Sequence, residues 1–130
     1  KTITEGGSYA ISGNNGCIVV NTNSDVQLNL TQATITCNGN PGIYVMSANS
    51  IQISISGNNT IHSTTTSSLD GAIYSKGNLI LTGSGVLNIQ SNYDANAPFV
   101  SEQEAKETEI KYDYPVNIFK RFLYASKAAG

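Results

Sequence analysis

The stretch that decides the fold is Gly71-Ala72-Ile73-Tyr74-Ser75-Lys76-Gly77-Asn78-Leu79-Ile80-Leu81-Thr82-Gly83-Ser84-Gly85-Val86-Leu87-Asn88-Ile89. It holds three short apolar runs, at residues 72–74, 79–81 and 86–89. Each run is too short for a helix and is bounded by glycine, asparagine or serine, a pattern that is typical of strands joined by turns. The stretch therefore predicts three consecutive β-strands.

The same three runs recur upstream with an average spacing of about 26 residues. The equivalent residues of the first run are Ile18, Ile43, Ile73 and Phe99. Those of the second run are Ile3, Val26, Ile51 and Leu79. Those of the third run are Ile11, Ile35, Ile61 and Leu87. A repeat of this length is typical of a solenoid.

Within the runs, apolar and polar residues alternate, so each predicted strand has one apolar face and one polar face. Val26, Leu28 and Leu30 alternate with Gln27 and Asn29, which is the period of a half-buried strand. We therefore predict an all-β fold, a parallel β-helix (β-solenoid) of about three to four coils with three short strands in each coil. This β-solenoid body would span residues 1–100.

Residues 101–130 form a second region, a charged and aromatic C-terminal tail with ten of the sixteen charged residues and five of the ten aromatic residues. Ser101-Glu102-Gln103-Glu104 is a capping-box sequence that predicts a short helix through about Glu107. Pro115 favours an extended segment around it, and residues 119–129 are predicted to form a final helical piece. Because disordered tails are poor in aromatic residues, we expect this tail to dock on its own or a neighbouring subunit.

Charge and hydropathy exclude several classes of partner. With 12% charged residues and a net charge of −2, the chain lacks the basic field that nucleic acid or an anionic membrane surface would require. No apolar run approaches the ~18 residues of a membrane-spanning helix. A chain that begins Lys1-Thr2-Ile3 looks processed, so we expect an extracellular or cell-surface protein from which a signal peptide has been removed.

The repeat unit at residues 70–79, continued at 82–87, resembles the secreted bacterial β-helix "carbohydrate-binding domain" family. In that family a unit of the form A-I-Y-S-K-x-D-L-x-I-x-G-x-G-x-L recurs. The resemblance covers residues 7–100 and describes a shortened member with a divergent C-terminal tail. It implies a right-handed parallel β-helix, an extracellular location, and binding of an acidic plant polysaccharide with calcium.

The sequence departs from the family where calcium would bind. The later coils of the family carry Asp-Asp-Leu and Asp-Gly-Ile carboxylates, whereas the third coil here has Gly77-Asn78 and the fourth leaves the pattern after Ser101. Asp70 and Asp94 are the acids near family positions, and calcium usually takes several carboxylate ligands. We therefore predict no metal site and no cofactor, with calcium kept as the ion that the resemblance implies.

No catalytic residues are predicted, and the chain is not expected to be an enzyme. Glycosidase chemistry needs two carboxyl groups a few ångströms apart. The first hundred residues hold four acids, Glu5, Asp25, Asp70 and Asp94, and none is paired at the repeat spacing. His62, the only histidine, is predicted to face outward without partners.

Cys17 and Cys37 are predicted to flank the same corner, one coil apart. They either form a disulfide, which suits a secreted chain, or line the corner as two small buried thiols.

The candidate binding or assembly residues are aromatic. Tyr44 and Tyr74 occupy equivalent outward positions in adjacent coils, where they either stack on sugar rings or form the seat of the aromatic tail. The full set is Tyr44, Tyr74, Tyr112, Tyr114, Phe119, Phe122 and Tyr124.

The open ends of a solenoid suggest a function, because unpaired strand edges can add further strands. Our hypothesis is a non-catalytic extracellular structural protein. Its subunits would associate end to end into a fibre or matrix through the coil edges and the tail. The alternative is a monomeric carbohydrate-binding module for an acidic polysaccharide, with or without the help of calcium. The expected partner is thus another copy of the chain or a polysaccharide, not nucleic acid or a membrane.

Overall fold

The computed structural model describes residues 1–64, 72–76, 78–91, 109–112, 116–118 and 121–124. All secondary structure in these ranges is β. The strands are β1 (Thr2–Ile3), β2 (Gly7–Asn15), β3 (Ile18–Asn21), β4 (Asp25–Asn38), β5 (Ile43–Ser47), β6 (Ser50–Ser56), β7 (Asn58–Thr64), β8 (Ile73–Ser75), β9 (Leu79–Gly83), β10 (Val86–Ser91), β11 (Glu109–Tyr112), β12 (Val116–Ile118) and β13 (Arg121–Tyr124).

The strands form two sheets. Sheet A has five strands in the order β1-β3-β5-β8-β12, and sheet B has eight, with β11-β9-β6-β4-β7-β10-β13 in order and β2 paired to β4. Strands β1 to β10 pair in parallel. The tail strands β11, β12 and β13 pair antiparallel with β9, β8 and β10. Both sheets are therefore mixed.

The long strand β4 makes sheet B curl. Its first half pairs with β6 and its second half with β7. At the bend Gln32 adopts a φ of 51°, and its Oε1 accepts a hydrogen bond of 3.0 Å from the backbone N–H of Asn58. The neighbouring strand β2 follows the bend with a register shift between Ser12 and Gly13. Sheet B consequently curves like half of a barrel.

The prediction of a right-handed parallel β-helix of about three to four coils, with three short strands per coil, is wrong. The second and third runs of one repeat are a single continuous strand, β4, and the strands belong to two mixed sheets, one of them curled. The physical reason lies between Leu30 and Ile35. There the chain bends at one residue, Gln32, instead of ending one strand in a turn and starting another.

The predicted equivalences of the repeat agree with the strand register only in part. The first-run residues Ile18, Ile43 and Ile73 lie opposite one another, as do Val26, Ile51 and Leu79 of the second run. In the third run, Ile35 lies opposite Ile61. By contrast, Ile3 lies in sheet A opposite Val20, Ile11 lies opposite Leu30, and Leu87 lies opposite Asn59. Phe99 is outside the described residues. The spacing of apolar residues along the sequence cannot show how many residues each bend or turn contains.

One apolar cluster joins the inner faces of both sheets. Its largest fully buried side chains are Ile18, Leu28, Leu30, Ile35, Ile43, Ile51, Ile53, Ile55, Ile61, Ile73 and Leu79. Because the side chains of a strand alternate between its faces, burying these residues directs their neighbours outward. The neighbouring residues of each strand therefore lie on the outer faces of the two sheets.

The tail differs from its prediction where the structure describes it. The final helical piece predicted for residues 119–129 is wrong at Arg121–Tyr124, which is strand β13. Pairing with β10 makes this segment a strand, because tertiary context overrides local propensity. The helix predicted from Ser101 to Glu107 and the boundary near residue 100 lie outside the described residues.

Cys17 and Cys37 are joined by a disulfide, with their Cα atoms 4.8 Å apart and a sequence separation of 20. The bond links the residue before β3 to the end of β4. No helix in the described part of the chain is long and apolar enough to cross a membrane.

Candidate functional site

The outer face of sheet A carries a pair of aromatic side chains. Tyr44 on β5 and Tyr74 on β8 lie directly opposite each other in parallel register, and both are half-buried. Their ring centroids are 5.7 Å apart with an angle of 77° between the ring planes, which is the favourable edge-to-face arrangement. The structure therefore brings together the two outward tyrosines that the sequence placed in equivalent positions.

The surroundings of this pair are apolar on one strand and cationic on the other. Met46, two residues after Tyr44, is 40% exposed, and Lys76, two residues after Tyr74, is exposed. The backbone N–H of Lys76 donates a hydrogen bond of 3.1 Å to the carbonyl oxygen of Val45. This contact keeps the end of β8 against β5, so Tyr44, Met46, Tyr74 and Lys76 belong to one outer surface, which we call the tyrosine face.

The tyrosine face can contact a ligand in two ways. Because the two rings are nearly perpendicular, a flat sugar ring can stack on only one of them at a time. Neither the Tyr44 nor the Tyr74 hydroxyl makes a hydrogen bond to another described residue. A sugar that stacks on one of these rings can also form a hydrogen bond with a phenolic hydroxyl.

The remaining predicted site residues lie elsewhere or are not described. Tyr112 is on β11 opposite Leu79, and Phe122 and Tyr124 are on β13, all in sheet B. Tyr114 and Phe119 are outside the described residues. The structure therefore does not place the aromatic positions of β11 and β13 in the sheet that carries Tyr44 and Tyr74.

A second feature, which the sequence analysis missed, is a polar cleft at the start of β2, β4 and β6. It has a volume of about 440 Å³, and its polar side chains come from Ser8, Asp25, Gln27, Ser50 and Gln52. The parallel register aligns Asp25 with Ser50 and Gln27 with Gln52. In the sequence, two outward glutamines recur 25 residues apart. Such residues look like ordinary exposed polar side chains until the strand register shows that they are neighbours.

Asp25 is held by its neighbours in this cleft. Its Oδ1 accepts hydrogen bonds from Asn49 Nδ2 at 2.7 Å and from Ser50 Oγ at 2.9 Å. The hydrogen bond from Asn49, followed by that from Ser50, lowers the pKa of the Asp25 carboxyl below its usual value. Asp25 therefore presents an ionised carboxylate at neutral pH.

The described residues do not fit a carboxylate-based calcium site. Glu5 and Asp25 are the acidic residues whose side chains the structure describes, and no group of three His, Cys, Asp or Glu side chains lies close enough there to hold a metal ion. Calcium usually combines several carboxylate and carbonyl oxygens. His62 is exposed on β7, and Asp70 and Asp94 lie outside the described residues.

Comparison with known proteins identifies the family. A family model described as "Carbohydrate-binding domain-containing protein" matches residues 1–99. No match was found among the curated proteins or among the solved structures. The matched segment contains both the tyrosine face and the Asp25 cleft and ends before the tail strands β11 to β13. This chain belongs to the family of carbohydrate-binding domain-containing proteins.

Proposed function

We propose that this chain is a non-catalytic module that binds a polysaccharide outside the cell, and that the tyrosine face is its binding surface. The observation that carries the proposal is the Tyr44–Tyr74 pair, which lies on an outer sheet face within the segment that matches the carbohydrate-binding family. The disulfide between Cys17 and Cys37 supports an extracellular location, because such bonds persist in oxidising compartments.

The chemistry of the face suits a sugar. Aromatic rings bind the apolar C–H faces of a pyranose, while a phenolic hydroxyl hydrogen-bonds to its rim. Lys76, two residues from Tyr74, adds a cation that attracts a uronate carboxylate. An acidic polymer is therefore the first ligand to test, as the sequence resemblance also implies.

Assembly into a fibre is not retained as the proposed function. The described strands of the tail, β11, β12 and β13, pair with strands of their own chain. Nothing in the comparisons or in the described contacts supports association with a neighbouring copy.

The proposal predicts that Tyr44→Ala and Tyr74→Ala each weaken polysaccharide binding by about tenfold, because truncating an aromatic anchor at a binding surface typically costs more than 1 kcal/mol. Affinity electrophoresis and calorimetry would measure binding to polygalacturonate, xylan and cellulose, with calcium and with a chelator. Tyr74→Phe should keep most of the stacking contribution and lose only that of the hydroxyl. Lys76→Ala should weaken binding to polygalacturonate alone.

His62→Ala serves as the control, since His62 is exposed on sheet B, away from the tyrosine face. If the folded Tyr44→Ala and Tyr74→Ala proteins bind as tightly as the unmodified protein, the binding site is not on the outer face of sheet A. Failure of the unmodified protein to bind any of the polymers would overturn the proposed function.

A further inference from the structure

We propose that the polar cleft around Asp25 is a second carbohydrate subsite, one that hydrogen-bonds to the hydroxyl groups of an uncharged sugar. The inference rests on the proposed function of polysaccharide binding but concerns a different surface, on sheet B instead of sheet A. It makes the module bivalent, with an aromatic stacking site and a hydrogen-bonding site on separate faces.

The size and lining of the cleft fit a saccharide. Its volume of about 440 Å³ lies within the range of about 300–1,000 Å³ that is common for ligand sites. The lining side chains of Ser8, Asp25, Gln27, Ser50 and Gln52 are all polar. Gly7 and Val26 complete the lining and give it an apolar part. This mixture suits a sugar, because its C–H groups are apolar and each of its hydroxyls is both a donor and an acceptor.

The cleft has unused hydrogen-bonding capacity of both kinds. Both bonds that the Asp25 carboxylate accepts go to Oδ1, which leaves Oδ2 without a partner among the described residues. The half-buried amide of Gln52 makes no hydrogen bond to another described residue. Gln27 Nε2 donates to Asn29 Oδ1 at 2.8 Å, and its own Oε1 is a further acceptor. Acceptors and a donor thus converge where sugar hydroxyls could meet them.

The Asp25 carboxylate is held in place before any ligand binds. Asn49, which donates to Asp25, is itself fixed by a hydrogen bond of 3.0 Å from its backbone N–H to the carbonyl oxygen of Ser24. On the other side, the chain at Gly6 packs so closely that an added Cβ would lie 2.6 Å from Ser24 Cβ. Pre-organised groups lose less conformational entropy on binding, which makes their hydrogen bonds more effective.

Charge decides which sugars the cleft accepts. Among the described residues that line the cleft, Asp25 is the one with a charged side chain, and it is acidic. A uronate or sulfate group placed there would meet a carboxylate of the same sign. A neutral pyranose instead allows its hydroxyls to donate to Asp25. The cleft therefore prefers uncharged sugars, in contrast to the tyrosine face with its Lys76.

Solution NMR on the full chain can test this. The ¹⁵N-labelled protein is titrated with three uncharged probes (xylohexaose, cellohexaose and mannohexaose) and with hexagalacturonate. At least one uncharged probe should shift the backbone amide signals of Ser8, Gln27 and Gln52 and the side-chain amide of Gln52. Asp25→Ala and Gln52→Ala should weaken this interaction by about tenfold. Thr36→Ala, an exposed substitution farther along the same strand β4, should not.

The outcomes separate this inference from the proposed function. If Tyr74→Ala weakens polymer binding about tenfold and no uncharged probe shifts the cleft signals, the inference is overturned while the proposed function stands. If the cleft signals respond and the tyrosine face does not, the subsite stands and the site proposed on sheet A fails. Equal shifts at the cleft with hexagalacturonate would contradict its preference for uncharged sugars. Thermal unfolding of the Asp25→Ala and Gln52→Ala proteins checks that both remain folded.

Discussion

At the scale of single residues, Asn59 shows how a buried polar side chain stabilises the curl of sheet B. The side chain is 1% exposed, and its Oδ1 accepts a hydrogen bond of 2.9 Å from the backbone N–H of Ala33. Its Nδ2 lies within 3.0 to 3.3 Å of the carbonyl oxygens of Ser56, Gly57 and Val86. One amide thus joins the bend of β4 to the β6–β7 turn and to β10.

Replacing this amide should destabilise the protein. We expect Asn59→Ala to lower the free energy of unfolding by roughly 1–3 kcal/mol, because it leaves the buried N–H of Ala33 without its acceptor. Urea denaturation followed by circular dichroism would measure the change. Asn58→Ala is the matched control, since Asn58 is the exposed neighbour and should change stability little. Equal losses in the two variants would argue against a special role for Asn59.

At the scale of elements, the disulfide ties the start of β3 to the end of β4 and so joins sheet A to sheet B. Chain-entropy arguments assign a cross-link over 20 residues a stabilisation of about 3 kcal/mol, since it removes conformations from the unfolded chain.

We expect the Cys17→Ser/Cys37→Ser double variant to unfold at a clearly lower denaturant concentration. The reduced unmodified protein should behave like the double variant, and its two thiols should become titratable with Ellman's reagent only after reduction. Unchanged stability in both would show that the bond does not constrain the fold.

At the scale of the whole molecule, the tail strands extend sheet A at one edge and sheet B at both ends of its ordered run of strands. Strand β12 pairs with β8 in sheet A, and β11 and β13 pair with β9 and β10 in sheet B. Uncovered edges present unpaired N–H and C=O groups, which promote association between molecules. We therefore expect the tail to act as a cap on its own chain.

Deleting residues 108–130 should therefore lower the free energy of unfolding, because it removes the strands that pair with β8, β9 and β10. It should also increase self-association, because the edges of these three strands become exposed. Analytical ultracentrifugation of the truncated and full-length chains would measure the change in mass distribution. The fibre hypothesis predicts the reverse, with an assembled full-length protein that becomes monomeric on truncation. The truncated protein should still bind the polysaccharide, since the tyrosine face and the Asp25 cleft both lie in residues 1–91.

The sequence by itself determined the β character of the chain, the alternation that buries Ile18, Ile43 and Ile73, and the juxtaposition of Tyr44 with Tyr74. These follow from local periodicity, because a strand alternates its faces every second residue and a repeat places like residues side by side. The tertiary structure decided that β4 continues through a bend at Gln32, and that Ile3 and Ile11 pair differently from the apolar spacing. It also decided that Arg121–Tyr124 pairs with β10 and that Asp25, Gln27 and Gln52 share a cleft. Each of these depends on how distant strands align, and pairing energies between distant strands leave no trace in the local pattern of residues.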